Sequence, residues 1–117
     1  MNQEEILNMP AGTKMNQLIW WKVFDMEPEP PNNNMLLLPD YSKEVAPAWR
    51  VVNAFAVEPF AWHIESINLL GGQIKWWACL WGDMPDGSIA EFSAEAETMS
   101  LAVCRVALLK VAGSNKA

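Results

Sequence analysis

The side chains that could do acid–base chemistry are few in this chain of 117 residues. Its single histidine, His63, precedes Glu65 by two positions in a segment that reads as a β-strand. Side chains alternate along a strand, so these two share one face and could form the acid–base pair of a small hydrolase. A surface or hydrogen-bonded histidine explains the same spacing, and we favour that interpretation.

Side chains that bind metals are also scarce. Glu91, Glu95 and Glu97 follow one strand and could gather around a divalent cation, but we favour an ordinary solvated strand face. Cys79 and Cys104 lie outside any CxxC or metal spacing, so we expect two reduced core thiols, with a disulfide or a reactive nucleophile as the alternatives. The sequence has no GxSxG, P-loop or GxGxxG motif. We therefore predict a protein that is not an enzyme and needs no metal or cofactor.

Tryptophan is the anomaly of the composition, with seven residues against one tyrosine. The stretch QIKWWACLWG, residues 73–82, reads as a strand that is apolar on both faces. Trp76 and Leu80 share one face, whereas Trp77 and Trp81 share the other. An antiparallel sheet usually leaves one face to water, so something must cover the second apolar face.

Helical patterns occur both before and after this strand. Asn2 and Glu5 have the spacing of a capping box, and a second helix is predicted from Thr13 to Asp25. Residues 26–40 hold four prolines and three asparagines, which predicts a long loop. Two further helices are predicted, one after Ser42 to about Ala56 and one from Thr98 to Gly113.

Strands are predicted over residues 59–70, 73–82 and 88–96, with glycine-containing turns between them. Helices on either side of an antiparallel meander in the chain indicate an α+β fold. We predict a single domain over residues 1–117, built as a three-layer α/β/α sandwich with a three-stranded sheet between helices. Trp49 and Trp76 are assigned to its core.

The second helix is apolar on all sides. Trp20, Trp21 and Phe24 lie opposite the stripe that begins at Met15. A helix with this pattern is buried or contacts a partner. We therefore predict that these three aromatic residues form an interface in a homo-oligomer.

The net charge of −6 disfavours binding to duplex nucleic acid, because the phosphate backbone repels an acidic surface. The start of the chain, MNQEE, is acidic where a signal peptide would be basic. No apolar run approaches the roughly 18 residues that span a bilayer. We expect a cytosolic protein that does not bind membranes.

Three segments together resemble one family. They are EEILNMPAGTKMNQLI, PDYSKEVAPAWRVVNAF and AEAETMSLAVCRVALLKV, and they resemble the small bacteriophage and prophage proteins with a phage ABA sandwich domain. The resemblance rests on a Tyr-Ser pair before a helix with an Ala-Trp step, and on a Thr-capped helix with a Cys-Arg step. It implies a sheet between two helical layers, a phage origin and no particular reaction. Trp20, Trp21 and the WWACLW segment depart from the family pattern.

Binding functions fit a tryptophan-rich protein of this kind. We favour a phage accessory protein that, as a homo-oligomer, sequesters a small nucleotide-type ligand such as a bacterial immune signalling molecule. Indoles would stack on the base and cations would contact the phosphates, with residues 26–40 as a lid. The ligand-binding residues of this hypothesis are Trp20, Arg50, Lys75, Trp77 and Trp81. The alternative is a module that docks a host or phage polypeptide through its tryptophan-rich faces, and the third hypothesis is the hydrolase.

Overall fold

The structure, a computed structural model, describes residues 2–26 and 38–113. Its helices are α1 Gln3–Asn8, α2 Thr13–Leu18 with a π-helical continuation Ile19–Val23, α3 Val45–Phe55 and α4 Met99–Gly113. Its strands are β1 Phe60–Asn68, β2 Ile74–Asp83 and β3 Ile89–Ala96. The predicted α+β class and element order are confirmed. Most of the predicted lid, residues 27–37, lies outside the described residues.

Local side-chain chemistry sets the helix ends. The Glu5 N–H donates to Asn2 Oδ1 at 2.8 Å and the capping box is complete, as predicted. The Leu101 N–H donates to Thr98 Oγ1 at 3.2 Å at the start of α4. Ser42 does not cap α3, because its hydroxyl accepts the Gly12 N–H at 2.9 Å and so holds α2 beside the chain before α3.

The sheet has the order β1-β2-β3 and both pairs are antiparallel. Two tight turns fix its register. The Leu69 N–H donates to the Gln73 carbonyl at 2.8 Å in the first, and the Met84 N–H donates to the Ser88 carbonyl at 2.8 Å in the second. Gly87 has φ of 88°, a conformation that glycine adopts without steric cost, and it closes the second turn.

Helix α4 is the centre of the core. It packs on β2 and β3, and α1, the π-helical turn and α3 pack against it in turn. Its apolar residues therefore point in all directions, and nine of its 15 residues are buried. The sheet contributes Ala78 and Leu80, which are wholly buried beneath α4.

Described helices pack on one face of the sheet only, so the three-layer arrangement is not confirmed. On the opposite face Lys75, Trp81, Ile89 and Glu91 are exposed. Trp76 lies half-buried against the core as expected, whereas its neighbour Trp77 faces no described helix.

The assignment of Trp49 to the core is wrong. Its side chain is 47% exposed on α3. The smaller residues Ala48, Val51 and Val52 form the buried stripe of that helix instead. The helical spacing of Trp49 is compatible with this stripe, but Val51 takes the buried position and Trp49 lies beside it on the exposed side.

Candidate functional site

The sheet face opposite α4, termed the open face, collects most of the chemically distinctive side chains of the strands. Odd-numbered residues of all three strands point to this side, since β1 and β2 pair as His63 with Cys79, and β2 and β3 pair as Cys79 with Ser93. The open face carries His63, Glu65, Lys75, Trp77, Cys79, Trp81, Ile89, Glu91, Ser93 and Glu95.

A shallow depression of about 490 Å³ lies at the middle of the open face. Trp77 and Trp81 stand four positions apart on one strand with Cys79 between them. His63 borders the depression on the β1 side, and Ile89 and Glu91 border it on the β3 side. The two indoles and the flanking carboxylate therefore surround a recess of the size that small-molecule and side-chain pockets have.

Cys79 lies at the floor of this depression, where its thiol is shielded from solvent. Its residue is 3% exposed, and its thiol donates to Glu91 Oε1 at 3.5 Å. Burial, and then the Glu91 carboxylate, raise the pKa of the Cys79 thiol from 9.0 to about 11. The thiol is therefore protonated near neutral pH, which disfavours a role as a thiolate nucleophile.

His63 and Glu65 do lie side by side, as the sequence predicts, with His63 Nε2 3.6 Å from Glu65 Oε2. That separation exceeds a hydrogen bond, and both side chains are more than half exposed. The imidazole instead leans towards Trp77, with 5.4 Å between ring centroids and 59° between planes. His63 thus belongs to the rim of the aromatic depression.

Charge on the open face is predominantly negative. Glu65, Glu91 and Glu95 stand against Lys75, whose Nζ lies 3.9 Å from Glu95 Oε2. This pairing leaves little free positive charge beside the indoles. A phosphate would meet repulsion here, whereas a cation would meet both carboxylates and the negative faces of the indoles.

The predicted ligand-binding residues fall into two groups. Lys75, Trp77 and Trp81 lie on the open face. Trp20, in the π-helical turn, packs half-buried against the core, and Arg50 is exposed on α3. Because these two elements belong to the helical side of the sheet, the structure does not bring all five residues into one site.

The predicted interface residues are also divided. Trp20 and Phe24 pack against the core, and Phe24 stacks on Tyr41 with ring centroids 5.3 Å apart. Trp21 is 38% exposed, and Lys22 Nζ lies 3.7 Å from the centroid of its ring. Of the three, Trp21 offers the most surface to a partner.

Acidic residues of β3 do not converge on a metal site. Glu91 accepts the Cys79 thiol and Glu95 approaches Lys75. Over residues 2–26 and 38–113, no cluster of three or more His, Cys, Asp or Glu side chains could hold an ion.

The sequence predictions missed Ile89 and Glu91 as neighbours of Trp81. A signal for them exists in the turn Met84–Ser88. Once Met84 is paired with Ser88, each step away from the turn pairs the preceding residue of β2 with the following residue of β3. Glu91 then lies opposite Trp81, and Ser93 lies opposite Cys79.

Comparisons with known proteins do not identify relatives. No protein-family model matches the chain, and neither curated proteins nor solved structures give a significant match. Within the part of the chain that the structure describes, no helix is both long enough and apolar enough to cross a bilayer.

Proposed function

We propose that this protein is a binding module that docks a basic segment of a partner polypeptide on its open face. The observation that carries the proposal is the depression between Trp77 and Trp81, which is bordered by Glu91 and faces away from every described helix. Half-exposed indoles beside carboxylates suit a partner that brings both apolar surface and positive charge.

The energetics favour a polypeptide over a free anion. Trp81 is 43% exposed, and a tryptophan that becomes covered contributes a large contact area for little lost side-chain entropy. A lysine or arginine over an indole gains roughly 0.5 to 2 kcal/mol, with more available when water is excluded. Glu91 and Glu65 would add ion pairs at the rim, where they steer association more than they tighten it.

This proposal also accounts for the arrangement of layers. The sequence predicts helices on both faces of the sheet, and the described helices cover one. A bound partner segment would supply the missing cover, so the three-layer sandwich would describe the complex rather than the isolated chain.

The test is affinity capture with two matched variants. Trp81→Ala removes an exposed indole from the open face, and Trp49→Ala removes an equally exposed one from the helical side. We expect one captured polypeptide that the wild type and Trp49→Ala retain, that Trp81→Ala loses and that moderate salt weakens. Equal retention by both variants would exclude the open face as the docking surface.

Sequestration of a nucleotide-type ligand by a homo-oligomer is a second proposal. Two indoles and Lys75 on one face support it, since an aromatic ring can stack on any nucleic-acid base, whatever its identity. The excess of carboxylates weighs against it. Native mass spectrometry of the purified protein separates the proposals, because a stoichiometric nucleotide would favour this one. The phage setting rests on the sequence resemblance alone.

A further inference from the structure

Strand β3 forms one edge of the sheet, and the register shows which of its backbone groups are free. The bond from the Met84 N–H to the Ser88 carbonyl makes these residues a hydrogen-bonded pair. Such pairs alternate with non-hydrogen-bonded ones along an antiparallel ladder. Phe92 and Ala94 therefore bond to β2.

By the same alternation, the N–H and C=O groups of Glu91, Ser93 and Glu95 point away from β2. A second contact agrees with this assignment. Arg105 Nη1 donates to the Glu95 carbonyl at 2.8 Å from outside the sheet, which satisfies that carbonyl. Among the described residues, the outward groups of Glu91 and Ser93 have no such partner. They form a short unpaired edge.

A cleft of about 750 Å³ lies directly against this edge. Residues 91–93 form one wall, and α1 and the end of α4 form the others. Apolar side chains come from Ile6, Phe92, Leu109 and Ala112, and carboxylates come from Glu5 and Glu91. An unpaired strand edge beside an apolar cleft is the feature that strand-adding partners use.

We propose that this cleft binds an extended segment of a partner polypeptide, which joins β3 as a fourth strand. Its backbone would bond to Glu91 and Ser93. Its side chains would alternate, with apolar residues towards α1 and α4 and basic residues towards the carboxylates of Glu91 and Glu95. The bond from Arg105 to Glu95 marks the end of the free edge.

This site uses the backbone edge of β3 rather than the indoles and shares only Glu91 with the depression on the open face, so it goes beyond the proposed function. Its probe is a blocked heptapeptide of alternating valine and lysine, and the control peptide alternates valine and glutamate. In the free protein we expect the amides of Glu91 and Ser93 to exchange with solvent much faster than those of Phe92 and Ala94. The valine–lysine peptide should slow exchange at Glu91 and Ser93, and the control peptide should not.

Matched variants of one residue test the backbone contact. Ser93→Pro removes the outward N–H, a change that edge strands tolerate, whereas Ser93→Ala keeps it. We expect Ser93→Pro to weaken peptide binding at least ~tenfold, while Ser93→Ala and Trp49→Ala bind within ~twofold of the wild type. Thermal unfolding of each variant shows whether the fold is kept.

If Ser93→Pro unfolds, peptides methylated at single backbone amides replace it. Methylation at alternate positions should abolish binding, and methylation at the intervening positions should not. Equal effects at all positions would overturn the proposal, as would failure of the valine–lysine peptide to bind. A dimer whose Glu91 and Ser93 amides are already protected would also overturn it, since a second copy would then occupy the edge.

Discussion

Leu80 and Trp81 are consecutive residues of β2 that lie on opposite sides of the sheet. Leu80 is wholly buried beneath α4, and Trp81 is 43% exposed on the open face. The strand thus separates the residues that stabilise the fold from those that we assign to binding. This separation allows stability and binding to be changed independently.

Truncation of Leu80 and of Trp81 to alanine should lower the free energy of unfolding by different amounts. Leu80→Ala should lower the free energy of unfolding by about 2 to 5 kcal/mol, because it leaves a cavity in the core. Trp81→Ala should lower it by about 1 kcal/mol, the usual size for a half-exposed site. Urea denaturation of both variants measures the difference. Equal costs would mean that the open face is part of the core.

Arg105 links elements that are distant in sequence. Its Nη2 donates to the Met9 carbonyl at 2.9 Å, and its Nη1 donates to Glu95. Arg105→Lys should cost about 1.5 to 3 kcal/mol of stability, because one ammonium cannot replace the planar fork at both carbonyls. Arg50→Lys on the exposed side of α3 is the control and should stay within about 0.5 kcal/mol. Equal unfolding midpoints for both variants would show that the link contributes little.

Asn16 holds α2 against the segment before α3. Its Oδ1 accepts the Ser42 hydroxyl at 2.8 Å and the Ser42 N–H at 3.0 Å, and its Nδ2 donates to Asp40 at 2.8 Å. Asn16→Ala should cost about 1 to 3 kcal/mol, because it leaves the Ser42 donors buried without an acceptor. Asn53→Ala, at an exposed position of α3, should change stability little. Thermal unfolding that does not distinguish the two variants would argue against the network.

The raised pKa of the Cys79 thiol predicts that the protein loses stability at alkaline pH. Below pH 9 the thiol is protonated in both the folded and the unfolded chain, whereas the pKa of about 11 delays its ionisation in the fold. The free energy of unfolding should therefore fall as pH rises from 9 to 11. Cys104 acts in the same direction, because burial raises its pKa as well.

The contribution of Cys79 is isolated by substitution. Cys79→Ala should show a shallower alkaline slope than the wild type in denaturant titrations at successive pH values. Glu91→Gln should lower the pKa of the Cys79 thiol, because it removes the carboxylate that opposes ionisation. Identical slopes for the wild type and Cys79→Ala would show that the thiol is not shielded.

Local signals in the sequence were sufficient for the elements themselves. The Asn2–Glu5 box, the Thr98 cap and the glycines of the two turns act over a few residues, so they predict where helices and strands begin and end. Trp49 shows the limit of such signals. The helical repeat allows Trp49 to be buried or exposed, and the packing of Ala48, Val51 and Val52 against the rest of the fold leaves it outside the core.

The layers and the site depend on contacts that are distant in sequence. Alternation along β2 shows that Trp76 and Trp77 lie on opposite faces, but it does not show which face the helices cover. Arg50 and Trp77 looked like one site because their side chains suit one ligand. Their separation follows from the packing of α3 against α4, which no local pattern encodes.

The most direct test of the open face is the dissociation constant of the captured partner segment for three proteins, the wild type, Trp81→Ala and Trp49→Ala. The account predicts that Trp81→Ala binds at least ~tenfold more weakly, the size of a central interface tryptophan, and that Trp49→Ala matches the wild type. Wild-type affinity in Trp81→Ala with weakened binding in Trp49→Ala would contradict it and move the docking surface to the helical side of the sheet.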